Sequence, residues 1–183
     1  MLKPLQDKFE ELTDLLIRHR DNLSQGTGVP FVRLIYSPDE ERECRRLTKM
    51  LHESLEMAGL QTDEIRCGEM VFKYYLDRNK LELRLKTAEE NPTMAQGEIG
   101  NRSEQVLLET ILEKAKGAPD KRNIILSETG LLYPFARLGG ILQECENQVR
   151  IPLIVLYPAK YENRKLLFMG KRDTGYYRTR DIQ

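Results

Sequence analysis

The chain has 183 residues, a length that suits one domain with a sizeable buried core. Lysine and arginine number 29 and aspartate and glutamate 29, so the net charge is zero, which argues against a dedicated DNA-coating protein with a strong basic excess. The apolar stretches are far shorter than the roughly 20 residues of a membrane span. Charges also interrupt the segment 1–8, so we expect no signal peptide, no membrane contact and a cytoplasmic location.

The spacing of apolar residues predicts alternating helices and strands along the chain. In order, the pattern predicts a leading helix over 4–23, a strand over 31–36, a helix over 37–59, a short strand over 62–66, helices over 69–86 and 103–116, a strand over 123–126, a helix over 134–145, and strands over 152–157 and 166–169. Such alternation is typical of an α/β fold, in which a mostly parallel sheet is covered by helices on both faces.

We therefore predict a single three-layer α/β domain over 1–183. Its last strand follows the previous one after a short connection and is expected to be an antiparallel or edge partner. The polar stretch 87–101, which contains Pro92, Gly97 and Gly100, is predicted to be a long mobile loop.

The turn after the first strand reads as a helix start. Ser37 is suited to the N-cap, Pro38 to the first helical position, and Glu40 completes a capping box. A phosphate-binding loop at this place needs glycines and free backbone N–H groups, whereas the turn has no glycine and is rich in carboxylates. The predicted sheet thus resembles that of a phosphate-loop NTPase without the phosphate loop, and conventional ATP or GTP hydrolysis is not expected.

The sequence contains no recognisable cofactor or metal motif. Cys44, Cys67 and Cys145 are odd in number and widely spaced, so we expect partly buried free thiols in a reducing compartment rather than disulfides or a zinc site. His19 and His52 are too far apart to suggest a metal pair and are expected on helix surfaces. No cofactor and no metal ion are therefore predicted.

Open α/β sheets place their working residues just past the carboxyl ends of the strands, which points to the segments 128–137 and 157–161. The run Ser127-Glu-Thr-Gly130 lacks the pattern of a nucleophile elbow, and no histidine follows it in the chain. Glu128 has two possible roles: a general base, or a carboxylate that caps the following helix start, which is the commoner use of such a residue.

The C-terminal segment 160–183 is basic, with seven lysines and arginines against three acidic residues, and it carries Tyr161, Tyr176 and Tyr177. Tyrosine and arginine anchor protein interfaces, and they also stack on single-stranded bases. A structural alternative is that Tyr176 and Tyr177 alternate across a final strand, one packed and one exposed. The three interpretations remain open at this stage.

Three ordered segments carry a resemblance to a known family. The first segment, Thr129-Gly130 with Tyr133-Pro-Phe-Ala-Arg137, is similar to Thr-Gly-x-Gly followed by (Tyr/Phe)-Pro-Phe-x-Arg. The second, residues 152–161, is similar to Val-Pro-x-Val-x-(Phe/Leu)-Tyr-Pro-Gly-x-Tyr. The third, Tyr176-Tyr-Arg178, is similar to Asn-Tyr-Tyr-Arg. With these segments the chain resembles the BrxB family, the small component of BREX (bacteriophage exclusion) defence systems. It departs from the family pattern at Leu132, Ala159 and Gly175.

The resemblance implies a non-enzymatic role beside an alkaline-phosphatase-like protein, a DNA methyltransferase and a large ATPase. The residues singled out for interaction are Glu128, Thr129, Gly130, Tyr133, Pro134, Phe135, Arg137, Tyr157, Pro158, Tyr161, Tyr176, Tyr177 and Arg178. The first hypothesis is an assembly subunit that binds partners through the strand-end turns and the tyrosine- and arginine-rich tail. The second is a regulatory or DNA-contacting module that uses the basic tail, and the third a hydrolase centred on Glu128.

Overall fold

The computed structural model describes residues 3–77, 81–175 and 177–183, with the backbone alone for Leu81 and Arg84. The helices are α1 (Leu5–Arg18), α2 (Glu41–Met57), α3 (Cys67–Leu76), α4 (Leu81–Glu90), α5 (Pro92–Ala115) and α6 (Leu138–Cys145). The strands are β1 (Phe31–Tyr36), β2 (Gln61–Arg66), β3 (Arg122–Ser127), β4 (Leu153–Glu162), β5 (Lys165–Phe168), β6 (Arg172–Asp173) and β7 (Arg180–Ile182).

The strands form a seven-stranded sheet whose main path runs β2-β3-β4-β1-β7, with every pair on that path parallel. The long strand β4 extends beyond its parallel neighbours and pairs antiparallel with β5, which in turn pairs antiparallel with β6. This confirms the predicted mostly parallel α/β sheet and its antiparallel closing strand.

Side chains of the central strands alternate between two apolar layers, one on each face of the sheet. On β1, Phe31 and Ile35 belong to the layer with α5 and α6, whereas Val32 and Leu34 belong to the layer with α1 and α2. The period of two in a β-strand produces this division, because successive side chains point to opposite faces. The predicted arrangement, with helices on both faces, is thus confirmed.

The predicted start and stop signals flank helix α2, although the α-helix itself begins only at Glu41 and ends at Met57. The Ser37 backbone N donates to the Glu40 carboxylate over 3.0 Å, and Pro38 opens a short 3-10 turn that leads into the helix. The buried residues of α2 recur at helical spacing: Cys44, Leu47, Thr48, Leu51 and Leu55. Gly59 follows the helix with a φ of 75°, a left-handed conformation that favours glycine.

The predicted mobile loop over 87–101 is wrong, because these residues belong to α4 and α5. Asn91 caps α5 through its side-chain oxygen, which accepts a backbone N–H over 3.1 Å, and Pro92 takes the first helical position. At Gly100, inside α5, an added Cβ would overlap the carbonyl oxygen of Phe135. This glycine permits a close helix contact, although in the sequence it reads as a sign of flexibility.

Several predicted boundaries also shift. The predicted helix over 69–86 is two helices, since α3 ends at Leu76 and α4 begins at Leu81. The predicted helix over 134–145 begins only at Leu138, because the preceding residues form a turn in which two backbone N–H groups donate to the Leu132 carbonyl. The leading helix ends at Arg18, before a separate 3-10 turn. The very short strands β6 and β7 were not predicted, because two or three residues carry no periodic signal.

Candidate functional site

Three charged side chains meet where β2 and β3 end. Glu128 directly follows β3, has a left-handed backbone with a φ of 54° and is only 6% exposed. Its Oε1 accepts hydrogen bonds from Arg66 Nε at 3.1 Å and Arg66 Nη2 at 2.8 Å. The same oxygen lies 3.3 Å from Nη1 of Arg45, on α2. Two guanidinium groups therefore oppose the charge of this buried carboxylate, which would otherwise be costly to remove from water.

Of the two roles predicted for Glu128, capping is wrong. Its side chain makes no hydrogen bond to the 3-10 turn Thr129–Leu132 that follows. The carboxylate turns instead toward Arg66 and Arg45, whose distance along the chain hid them from the sequence prediction. The role of general base remains a hypothesis.

A polar cleft of about 330 Å³ lies beside this ion-pair cluster, between α2 and the strand ends. The Ser127 hydroxyl donates to Oε1 of Glu64, and Nε2 of His52 lies 3.3 Å from the other Glu64 oxygen. The His52 imidazole lowers the pKa of the Glu64 carboxyl, and the Ser127 hydrogen bond adds to this effect. The carboxylate separates serine from histidine, so their order differs from that of a Ser-His-Asp triad, in which histidine contacts the nucleophile.

On the other side of Arg66 and Glu128 lies an apolar groove of about 970 Å³, which we call the strand-end groove. Its walls come from α3, α4, α5 and the segment that follows β3. The apolar side chains that line it are Val71, Phe72, Tyr75, Leu85, Ala88, Pro92, Ala95, Ile99, Leu131, Leu132, Pro134 and Phe135. Phe72 is 55% exposed, Leu85 58% and Leu131 59%, so large apolar side chains stand together in water. Contiguous apolar surface of this kind marks binding sites more often than isolated exposed residues do.

Two glycines allow the groove to form. A Cβ on Gly68 of α3 would overlap the side chain of Leu131, and a Cβ on Gly100 of α5 would overlap the Phe135 carbonyl. Without side chains at these positions, both helices approach the segment after β3 closely enough to share one wall with it. The groove is therefore a consequence of helix packing at defined positions.

A family model described as "BREX protein BrxB" matches residues 69–182, a range that contains α4, α5, the segment after β3 and most of α3. The chain belongs to the BrxB family. This BrxB-family protein is thereby a component of BREX phage defence. Comparison with curated proteins and with solved structures finds no match. Among the described residues, no helix combines the length and apolar character needed to span a membrane.

The first residues of the first BrxB family segment pack within the fold. Thr129 is fully buried and donates its hydroxyl to a backbone carbonyl of β4 over 2.5 Å. Gly130 faces Pro158, so that an added Cβ would lie 3.2 Å from the proline Cγ. Tyr133 stacks under Arg172, whose guanidinium carbon lies 5.4 Å from the ring centroid. Leu131, Leu132, Pro134 and Phe135 of this segment reach the strand-end groove, as does Glu128 just before it.

The three BrxB family segments converge on a second, smaller cavity of about 410 Å³, which Arg137, Tyr157 and Tyr177 line together. The Tyr157 ring packs on Phe168 with 4.8 Å between centroids, and burial raises the pKa of its phenol. Its hydroxyl oxygen lies 3.4 Å from that of Tyr177. The structure thus brings these predicted residues together, in a cavity separate from the strand-end groove.

The remaining predicted residues of this BrxB-family chain lie at the surface or outside the described residues. The Tyr161 hydroxyl donates to the Gln183 side chain, and Arg178 Nη1 lies 3.4 Å from a Glu146 oxygen. Tyr177 precedes β7 rather than lying in it, so the predicted alternation across a final strand is wrong for this residue. Tyr176 falls outside the described residues.

Sequence reasoning missed a buried arginine that binds the C-terminal segment of this BrxB-family protein to the sheet. Arg33, on β1, is 6% exposed and makes two hydrogen bonds to the carboxylate of Asp181 on β7, at 3.0 Å and 2.6 Å. Its guanidinium carbon lies 4.9 Å and 4.7 Å from the ring centroids of Tyr157 and Tyr177. The available signal was an arginine in the middle of the apolar run Phe31–Tyr36.

Proposed function

We propose that this BrxB-family chain is a non-enzymatic assembly subunit of a BREX complex and that the strand-end groove holds a partner protein. The supporting observation is the cluster of half-exposed Phe72, Leu85 and Leu131 along one groove at the carboxyl edge of the sheet. The proposed partners are the other BREX proteins: the alkaline-phosphatase-like protein, the DNA methyltransferase and the large ATPase.

The energetics favour a protein partner at this surface. Burial of apolar surface contributes about 25 cal/mol per Å², and a few central aromatic or large side chains usually carry most of the affinity of an interface. Phe72 and Phe135 supply aromatic anchors in the lining of the groove. Arg45 and Arg66, at one end, supply the polar rim that a protein interface commonly has.

The alternative of DNA contact through the basic tail receives less support from the geometry. Lys160 lies 2.6 Å from Asp39, Lys165 3.6 Å from Asp173, and Arg178 3.4 Å from Glu146. Arg172 donates to the carbonyls of Pro134 and Ala136. Several cations of the tail therefore already have partners, which reduces the charge that phosphates would meet. DNA binding that weakens steeply as salt rises would restore this alternative.

A hydrolase centred on Glu128 remains the third candidate. The carboxylate that would act as base is already bound to Arg66 and lies beside Arg45. Turnover that survives the Glu128→Gln substitution would remove this centre from consideration.

The test of the assembly role is co-purification from cells that contain the BREX proteins. Tagged wild-type protein is expected to recover at least one of them at native expression and in gentle salt. The double variant Phe72→Gln/Leu85→Gln is expected to lose it, because glutamine removes the apolar contact while preserving helix propensity. Met57→Gln is the matched control, since Met57 is 90% exposed on α2, outside the groove lining. Recovery of the wild-type protein alone would contradict the assembly role.

A further inference from the structure

The walls of the strand-end groove restrict the backbone that it accepts. They are helices α3, α4 and α5 and the turn after β3, whose regular backbone groups are largely satisfied within the same elements. The lining offers side chains rather than a row of free N–H and C=O groups, so an extended strand placed there would lose water without gaining ladder hydrogen bonds. A helix satisfies its own backbone and avoids that cost.

One edge of the sheet, at β2, lies elsewhere and is protected against strand addition. β2 is the outermost strand of the main path, and its side chains include Asp63 and Glu64. Charges on an edge strand oppose pairing with another strand. Pairing with β2 of a second copy in antiparallel fashion would also place like carboxylates close together. Sheet extension at β2 is therefore a poor alternative to helix docking.

The arginines that line the groove indicate which charge the occupant carries. Arg45 is 49% exposed at its side chain, and among the described residues only its Nε makes a hydrogen bond, to Glu41. Its Nη1 lies 3.3 Å from Glu128 Oε1, next to Arg66, which that carboxylate already binds through two nitrogens. Glu69 also lines the groove and is paired with Arg66 Nη1 at 2.7 Å. Nη2 of Arg45, which makes no hydrogen bond among the described residues, therefore has donors to offer, and a carboxylate is the group that matches it.

We propose that the strand-end groove binds an amphipathic helix of the partner protein, with apolar residues at i, i+3 or i+4 and i+7 in the groove and an acidic side chain on Arg45. Such anchors span about 10 Å along a helix. This inference rests on the proposed function, because it specifies how the partner of the assembly subunit is held. The apolar anchors supply affinity, and the acidic residue fixes the direction in which the helix lies.

The test combines cross-linking with a charge variant in the assembled complex. A photoreactive phenylalanine analogue in place of Phe72 is expected to cross-link a partner segment with apolar residues at three- and four-residue spacing, and the same analogue in place of Met57 is expected to give no such product. Arg45→Gln, in a protein whose melting temperature is unchanged, is expected to weaken the complex about tenfold. Changing the matching acidic residue of the partner to glutamine should then cause little further loss.

Three results would overturn the helix proposal while the complex itself still forms. They are a cross-linked segment that is extended or lacks an acidic residue near Arg45, a cross-link to a second copy of this chain, and efficient assembly without any cross-link from position 72. Failure of the wild-type protein to form any complex with a BREX protein would instead contradict the proposed function, and the helix proposal would fall with it.

Discussion

The two helical layers of this protein differ in which apolar side chains they expose to solvent. In α2, Leu47, Leu51 and Leu55 are buried against the sheet, while charged residues on the outer side form ion pairs along the helix. On the opposite face, α4 and the start of α5 leave Leu83, Leu85 and Met94 more than half exposed. The first layer thus buries its leucines, although Ile17, Met50 and Met57 stay exposed, whereas the second layer leaves leucines at the solvent as well.

We expect this difference to separate residues that stabilise the fold from residues that bind the proposed partner. A buried leucine of α2 contributes to the core, so its loss should destabilise the fold wherever the protein is studied. Truncation of an exposed leucine beside the strand-end groove should change the free energy of unfolding little, because water already surrounds much of the side chain. We expect the second group to matter in the assembled complex, and the predictions below test this division.

The largest expected effect is in the α2 layer. Leu55 is 0% exposed, so Leu55→Ala should lower the free energy of unfolding by about 2–5 kcal/mol. Leu85→Ala, a matched truncation of a leucine that is 58% exposed, should change it by no more than about 0.5 kcal/mol. Urea unfolding of the two variants measures both values. Equal losses would show that the groove leucine is part of the core.

The next effect concerns the glycines of α5. Gly100→Ala should destabilise the protein by about 1–3 kcal/mol, because the new methyl group meets the Phe135 carbonyl and the helix must move away. Gly97→Ala in the same helix has open space around it and should be neutral or stabilise by up to about 1 kcal/mol. Thermal unfolding of both variants is the measurement. A stable Gly100→Ala variant would refute the close contact that shapes the groove.

A smaller, pH-dependent effect is expected in the polar cleft. The His52 imidazole holds the pKa of Glu64 below its usual value in the folded state. The resulting stability is fully present above the unfolded pKa of about 4.3 and is lost as the pH falls through the lower folded-state pKa. Because Glu64 is partly exposed and water screens the pair, Glu64→Gln should cost only about 0.5 kcal/mol at pH 7 and progressively less in acid. A pH-independent difference in unfolding free energy would argue against this linkage.

The smallest expected signal comes from the three thiols, which lie in both layers. Cys44, Cys67 and Cys145 are buried and free, and burial raises the pKa of Cys44 and of Cys145 to about 12. A thiol-specific reagent should therefore react very slowly with the native protein at pH 8 and rapidly after unfolding. Fast native labelling of one cysteine would reveal a layer that opens readily.

The elements with strong periodicity were predictable from the sequence, and the strand-end groove was not. The apolar run Phe31–Tyr36 predicts a buried strand, and the apolar residues on the inward face of α2 predict an amphipathic helix. Both patterns are visible because burial in the core requires apolar residues at the spacing of the element. In 87–101 the apolar residues do not follow one face, and the glycines and the proline read as breaks. The position of Gly100 makes sense only once Phe135, far along the chain, packs on α5.

The same limit applies to the candidate site. Glu128 was predicted from its place after a strand, but Arg66 and Arg45 come from other elements, and only the fold brings their guanidinium groups to its carboxylate. Likewise, nothing local in the sequence shows that Phe72 remains half exposed while Leu107 is fully buried. Exposure depends on which neighbours cover a side chain, and that is a property of the tertiary structure.

The most direct test of the central claim is the affinity of this chain for the BREX protein that co-purifies with it. We predict that Phe72→Gln/Leu85→Gln weakens binding by about 30-fold or more, the loss expected when an interface loses a central anchor, while Met57→Gln leaves the Kd unchanged. All three proteins should have closely similar melting temperatures. A Kd of the double variant equal to that of the wild-type protein would contradict the assignment of the strand-end groove as the partner-binding surface.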